Sequence, residues 1–159
     1  MSAIAYNFKC SSCEREFQAP EVPEMSYGIF VMRTKELDET AFLDALNDSA
    51  FLESYELLKR HPRVANESEA SRGKIQQFVF QVACDKTENG ESFQIGLSPK
   101  CPSCGSRNME TWQQVIPVRA WPLPTVMHKS WDAKTIAEKT AAIDYGVQQF
   151  LHESSTSQK

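Results

Sequence analysis

The chain of 159 residues carries 17 Lys and Arg against 21 Asp and Glu, a formal net charge of −4. Its length suits one compact domain, and a hydrophobic fraction of 41% can supply a core without disulfide bonds. The acidic balance disfavours a broad basic face for nucleic-acid phosphates. No apolar run is long enough to cross a bilayer, so we expect no membrane partner.

Residues 1–10 lack the charged-then-apolar pattern of a signal peptide. We therefore expect a cytoplasmic protein. In a reducing compartment, the five cysteines indicate a metal site or free thiols more than disulfides.

The first segment predicts a strand, a tight turn and a second strand. Tyr6 and Phe8 alternate with polar neighbours ahead of Cys10, and Phe17 follows the turn. Pro20 then excludes a helix or an inner strand.

The middle of the chain predicts a strand, one or two helices and a hairpin. Residues 27–33 form an apolar run, and residues 38–60 carry two helical faces separated by cap-forming residues at 47–49. His61-Pro62 ends the helical stretch. We expect a mobile loop at 63–73, followed by strands at 74–85 and 91–97 that Asn89-Gly90 joins as a hairpin.

The last third predicts a strand over 111–120 that Pro117 interrupts, an extended arm, and a helix from Trp131 to about His152 capped by Ser130. Its apolar stripe is Ile136, Thr140, Ile143, Val147 and Leu151.

Two Cys-x-x-Cys pairs carry the chemistry of the sequence. They are Cys10 with Cys13 and Cys101 with Cys104, and 87 residues separate them. Two such turns can meet to complete a tetrahedral four-thiolate site, because the cost of closing a loop rises only logarithmically with its length. We predict that these four cysteines bind one Zn²⁺ per chain.

The pattern Tyr6-x-Phe8-x-Cys10-x-x-Cys13-x-x-x-Phe17, with Cys101-Pro-Ser-Cys104-Gly105 later, resembles a zinc ribbon of the rubredoxin-like kind. The first half is similar to the small regulatory zinc ribbons of the FmdB type. The chain departs from them in its long gap between the pairs and in Glu14, where a glycine is common. The resemblance implies a non-catalytic zinc module that binds protein or nucleic acid.

The predicted fold is α+β: a zinc ribbon split by an inserted βα(α)ββ segment and followed by a C-terminal helix. On this interpretation residues 1–24 and 99–124 are the ribbon halves and 25–98 the insertion. Residues 125–152 are an arm and helix, and 153–159 a disordered tail.

Two alternatives to zinc stay open at this point. The cysteine pairs could be redox dithiols, although neither opens a helix that would lower a thiol pKa. Iron can take the same four ligands. We expect a buried structural role for Cys84 and surface or capping roles for His61, His128 and His152. Trp112, Trp121 and Trp131 can serve either packing or partner binding.

We predict a non-enzymatic, zinc-stabilised module that docks onto another protein, and a regulatory role is one function that such a module can have. Residues 14–100 hold 16 of the 21 acidic residues, so the insertion is the acidic part of the chain. A nucleic-acid-binding zinc ribbon is the first alternative and a rubredoxin-like iron electron carrier is the second. The sequence does not identify the partner.

Overall fold

The computed structural model describes residues 2–157, which form a mixed α+β fold with two separate sheets. A 3-10 helix over Phe80–Ala83 continues the second α-helix. In chain order the other elements are β1 (Ala3–Cys10), β2 (Glu16–Glu21), β3 (Ile29–Arg33), β4 (Thr40–Asp44), α1 (Ser49–Lys59), α2 (Glu69–Val79), β5 (Met109–Gln114), β6 (Ala120–Trp121), α3 (Lys129–Asp132) and α4 (Ile136–Thr156).

The first sheet is built around β1, which lies between β2 on one side and β5 and β6 on the other. All pairings are antiparallel. Alternate β1 side chains, among them Tyr6 and Phe8, form a small buried cluster with Ala19 of β2. The predicted strand–turn–strand and the interruption near Pro117 are confirmed, because β5 ends at Gln114 and pairing with β1 resumes at Ala120.

The second sheet is the β3–β4 hairpin, and α1, α2 and α4 pack with it around the larger core. The strand predicted over residues 27–33 is confirmed as β3, which begins two residues later at Ile29. The helix predicted after residue 49 is also confirmed, and the Asp48 side chain caps it by accepting from the Phe51 N–H at 2.7 Å.

The prediction of a helix over residues 38–47 is wrong, because Thr40–Asp44 is strand β4. Its backbone pairs with β3 on one side. On the other, the Phe42 N–H donates to the Pro124 carbonyl at 2.8 Å, and the Val126 N–H donates to the Phe42 carbonyl at 3.0 Å. These long-range hydrogen bonds override the local helical pattern.

The prediction of a strand over residues 74–85 is also wrong, since this segment is helical. Its buried residues recur at helical spacing, as Ile75, Val79 and Ala83 show. Helix α2 begins at Glu69, capped by Ser68, so the loop predicted at 63–73 is shorter than expected. Asn89-Gly90 forms a turn, but the expected hairpin is absent from the described chain. Of the predicted return strand over residues 91–97, only Gln94 pairs with a strand, through Arg33 of β3.

The C-terminal helix is confirmed but begins and ends later than predicted. Ser130 lies within short α3, and α4 is capped by Thr135, whose side chain and that of Glu138 form a capping box. Of the predicted stripe, Ile143 and Val147 are buried, whereas Ile136 is 64% exposed. Residues 153–156 continue α4, against the prediction of disorder, and residues 158–159 lie outside the described chain.

Two arginines join the first sheet to the inserted segment. Arg33 on β3 is 1% exposed and donates to the carbonyl oxygens of Pro20 and Leu97. Arg107, just after the second cysteine pair, donates to the Asp38 carboxylate at 2.8 Å and to the Thr34 carbonyl at 2.9 Å. The first sheet and the inserted segment therefore contact each other through polar groups as well as apolar packing.

Candidate metal centre

The first cysteine turn connects β1 to β2. The Cys10 N–H donates to the Arg15 carbonyl at 2.9 Å, and the Glu14 N–H donates back to the Cys10 carbonyl at 2.9 Å. These two bonds fold Cys10–Arg15 into a compact knuckle. Glu14 completes it with a φ of 63°, a left-handed conformation that is uncommon outside glycine.

The second cysteine turn repeats this geometry before β5. The Cys101 N–H donates to the Ser106 carbonyl at 2.8 Å, and the Gly105 N–H donates to the Cys101 carbonyl at 2.9 Å. Gly105 has a φ of 76° and occupies the position equivalent to Glu14. The two turns are therefore the same knuckle built twice, once with glycine and once without.

Antiparallel pairing of β1 with β5 brings the two knuckles face to face. All four sulfur atoms lie within 4.8 Å of one another. Across the knuckles, Cys10 Sγ lies 3.6 Å from Cys104 Sγ, and Cys13 Sγ lies 3.6 Å from Cys101 Sγ. A tetrahedral ion with metal–sulfur bonds of about 2.3 Å requires sulfur separations of about 3.8 Å, so the four thiols fit such an ion.

Backbone N–H groups stabilise negative charge on the first cysteine of each knuckle. Hydrogen bonds from the N–H groups of Cys13 and Ser12 lower the pKa of Cys10 to about 6. The N–H groups of Cys104 and Ser103 likewise lower the pKa of Cys101.

The second cysteine of the first knuckle behaves differently. The Arg15 N–H favours its thiolate, but desolvation and the nearby sulfur atoms raise the pKa of Cys13 to about 12. Four thiolates this close repel one another unless a cation lies between them. The cluster of four sulfur atoms is therefore suited to binding a positive ion.

Accessibility differs within each pair. Cys10 and Cys101 are buried, whereas Cys13 and Cys104 are exposed. Among residues 2–157 no other group of three or more Cys, His, Asp or Glu side chains has the geometry to hold a metal ion. Every cysteine that the spacing singles out is therefore in one cluster.

The fifth cysteine lies outside the cluster, as predicted. Cys84 is 6% exposed and its thiol lies 3.5 Å from the Phe80 carbonyl, to which it donates. Burial raises the pKa of this thiol, and the charges of Asp48 and Asp85 raise it further. Cys84 is therefore a buried residue of the larger core, as predicted.

The histidines are less peripheral than predicted. His152 is exposed, but His61 contacts Asp144 at 2.9 Å, and His128 contacts Asp48 at 2.8 Å. The sequence gives no signal for these pairs because their members are 83 and 80 residues apart.

The three tryptophans differ in how deeply they are buried. Trp131 is fully buried in the larger core, Trp121 is half-buried, and Trp112 on β5 is 59% exposed.

No protein-family profile, curated protein or solved structure matches this chain. The geometry of the cysteine cluster is consistent with a zinc-ribbon-like site. Within residues 2–157, no helix combines the length and apolar character needed to cross a bilayer.

Proposed function

We propose that this protein is a non-enzymatic zinc-binding module that docks onto another protein, with one Zn²⁺ held by Cys10, Cys13, Cys101 and Cys104. The observation that carries the proposal is the pair of matching knuckles whose sulfur atoms lie within 4.8 Å of one another. Zinc accepts four thiolates in tetrahedral geometry without redox chemistry.

The ligand set supports a structural ion over a catalytic one. Catalytic zinc sites keep a coordination position open for water or substrate, whereas four cysteines fill a tetrahedral shell. When bound, the ion would offset two of the four thiolate charges and fix the two knuckles together. The backbone N–H groups of Ser12, Cys13, Ser103 and Cys104 would keep the sulfur atoms charged and oriented.

Exposed apolar residues on β5 and in the turn that follows it support docking onto a protein. Trp112 is 59% exposed on β5, and Ile116 and Val118 are 88% and 59% exposed in the turn before β6. Large exposed aromatic and apolar side chains typically anchor protein interfaces. Trp112 lies on the strand that follows the second knuckle and pairs with β1, which leads into the first, so zinc binding and docking would be linked through this sheet.

The experiment is a capture of binding proteins by the tagged, zinc-loaded full chain from its native host. Trp112→Ala and Ile116→Ser are compared with Tyr145→Ala, a control on α4 with a similarly exposed aromatic ring. We expect the wild type and the control to retain a specific protein that neither Trp112→Ala nor Ile116→Ser retains.

Three results would overturn the proposal. They are equal retention by all variants, salt-sensitive retention of nucleic acid in place of protein, and a red iron-containing preparation with reversible electron transfer.

A further inference from the structure

Two further hydrogen bonds join the knuckles beside the cluster of sulfur atoms. Arg15 Nη1 donates to Ser103 Oγ at 2.9 Å. Ser12 Oγ donates to Ser106 Oγ at 2.9 Å. Ser12 and Ser103 are the third residues of their knuckles, and Arg15 and Ser106 are the sixth. Each bond therefore joins the third residue of one knuckle to the sixth residue of the other, and only the Arg15 bond involves a charged group.

Arg15 contacts both of the segments that carry an exposed sulfur ligand. Cys13 and Cys104 are exposed, whereas the first cysteine of each knuckle is buried. The backbone N–H of Arg15 donates to Cys13, and its guanidinium bonds to Ser103, which directly precedes Cys104. Arg15 therefore links the two knuckles at the half of the site where a competing chelator reaches sulfur first.

The charge of Arg15 forms no ion pair with a carboxylate among residues 2–157. Two other cations near the cysteine pairs are paired: Lys9 with Glu110 at 3.1 Å, and Arg107 with Asp38 at 2.8 Å. Four thiolates around Zn²⁺ keep two uncompensated negative charges, which a nearby guanidinium offsets in part. Because Arg15 is exposed, solvent and salt weaken this attraction, and the expected effect is several-fold.

We propose that Arg15 is a positioning residue of the metal centre and slows the loss of zinc. Its bond to Ser103 holds the exposed half of the site closed, and its charge offsets part of the charge that the ion leaves on the thiolates. The bond between Ser12 and Ser106 is the uncharged equivalent, which joins the knuckles without stabilising the thiolates. The inference rests on the zinc site of the proposed function and names the residue that controls how long the metal is retained.

The test follows the transfer of zinc from the zinc-loaded full chain to the uncharged chelator TPEN, with native mass spectrometry counting metal per chain over time. An uncharged chelator avoids any attraction to the arginine itself. We expect Arg15→Ala to lose zinc about threefold to tenfold faster than the wild type, because it lacks both the bond and the charge. High salt should reduce this difference, since it screens the charge but leaves the bond.

Two further variants separate the charge from the hydrogen bond. Ser103→Ala removes the acceptor and keeps the charge, so it should accelerate zinc loss less than Arg15→Ala does. Arg15→Lys keeps the charge and a donor, so it should lose zinc more slowly than Arg15→Ala. With Co²⁺ in place of zinc, the thiolate-to-metal absorption should have wild-type intensity in each variant, which would show that all four sulfur ligands remain.

The matched control is Arg119→Ala. Arg119 is also exposed, and its carbonyl accepts from the Ala5 N–H near the start of β1, whereas the first knuckle begins at the end of that strand. This variant should lose zinc at the wild-type rate. An unchanged rate in Arg15→Ala, or equal acceleration in Arg119→Ala, would overturn the proposal.

The two proposals fail in different ways. If the wild type retains zinc no longer than Arg15→Ala does, the role of Arg15 is wrong and the zinc site stands. If the wild type binds no zinc, the proposed function is wrong and the role of Arg15 is wrong with it. If no partner protein is captured, the docking function is wrong, and the comparison of zinc retention is unaffected.

Discussion

Nε2 of His128 lies 2.8 Å from Oδ2 of Asp48, which is also the residue that caps α1. The other ring nitrogen, Nδ1, lies 2.6 Å from the carbonyl oxygen of Ala83. Both neighbours are acceptors, so both ring nitrogens must carry a proton to make both hydrogen bonds. The structure therefore favours the imidazolium form of His128, which joins the C-terminal arm to α1 and to the end of the 3-10 helix.

The free energy of unfolding should depend on pH through His128. Burial opposes its charge, but the hydrogen bonds to Asp48 and Ala83 outweigh burial and raise the pKa of His128 above 6.5. The contribution of His128 to the free energy of unfolding is therefore fully present below pH 6.5. It is lost as the pH rises through the pKa that His128 has in the folded state. Urea unfolding measured at a series of pH values should show this loss in the wild type.

The same pair predicts the effect of removing the ring. His128→Ala should destabilise the protein by about 1.5–3 kcal/mol, because Asp48 and the Ala83 carbonyl lose a charged donor. It should also flatten the pH dependence above pH 6.5. His152→Ala, at an exposed position of α4, is the control and should change neither quantity. An unaltered pH profile in the His128 variant would show that another group is responsible.

Zinc content should follow the four clustered cysteines. We expect about one zinc per chain in protein purified under reducing conditions. Cys13→Ser and Cys104→Ser should each reduce this greatly, whereas Cys84→Ala should keep it and cost roughly 1 kcal/mol of stability. Elemental analysis measures the zinc content of the wild type and of each variant. A folded wild type with well under half an equivalent of zinc, or metal loss in the Cys84 variant, would contradict the assignment.

Chelation should unfold the two cores unequally. The cluster around Tyr6 and Phe8 is small, while the core around Leu43, Leu58 and Ile143 includes three helices and a hairpin. Structural zinc contributes on the order of 10 kcal/mol to small sites. After chelation, amide hydrogen exchange should become fast in β1, β2 and β5 and stay slow in α1 and α4. Re-addition of zinc should restore the protection of these amide hydrogens. Unchanged protection after verified metal loss would show that the first sheet does not depend on the ion.

The matching knuckles give a prediction about backbone strain. Glu14 and Gly105 occupy equivalent left-handed positions, and only glycine does so without steric cost. Gly105→Ala should destabilise the zinc-loaded protein by about 1 kcal/mol, and Glu14→Gly should stabilise it by up to about 1 kcal/mol. Thermal unfolding at fixed zinc measures both. Destabilisation by Glu14→Gly would show that the Glu14 side chain makes a compensating contact.

The sequence predicted the cysteine cluster well because its geometry is local. Each Cys-x-x-Cys turn carries its own hydrogen bonds, and the chain has only to bring the two together. The capped helix at Asp48 was predictable for the same reason, since a side chain and a nearby N–H define it.

The errors came from partners distant in sequence. Residues 40–44 have a helical composition, yet hydrogen bonds to residues 29–33 and 124–126 make them a strand. In residues 74–85 the aromatic alternation suggested period two, but the buried set follows the helical period. The groove lined by Tyr27, Phe51 and Gly73 could not be predicted, because these residues belong to three separate segments.

The central place of β1 also constrains the order of events during synthesis. This strand leaves the ribosome before its neighbours β5 and β6, which lie beyond residue 108, after the whole inserted segment. The emerging chain must therefore keep one edge of β1 unpaired, and Cys10 and Cys13 without their partner thiols, until the segment from Cys101 to Trp121 has been translated. A metal ion with all four thiolates as ligands could therefore bind only after Cys104 has been synthesised, and interruption before Cys101 would release a product with an open strand edge prone to aggregation.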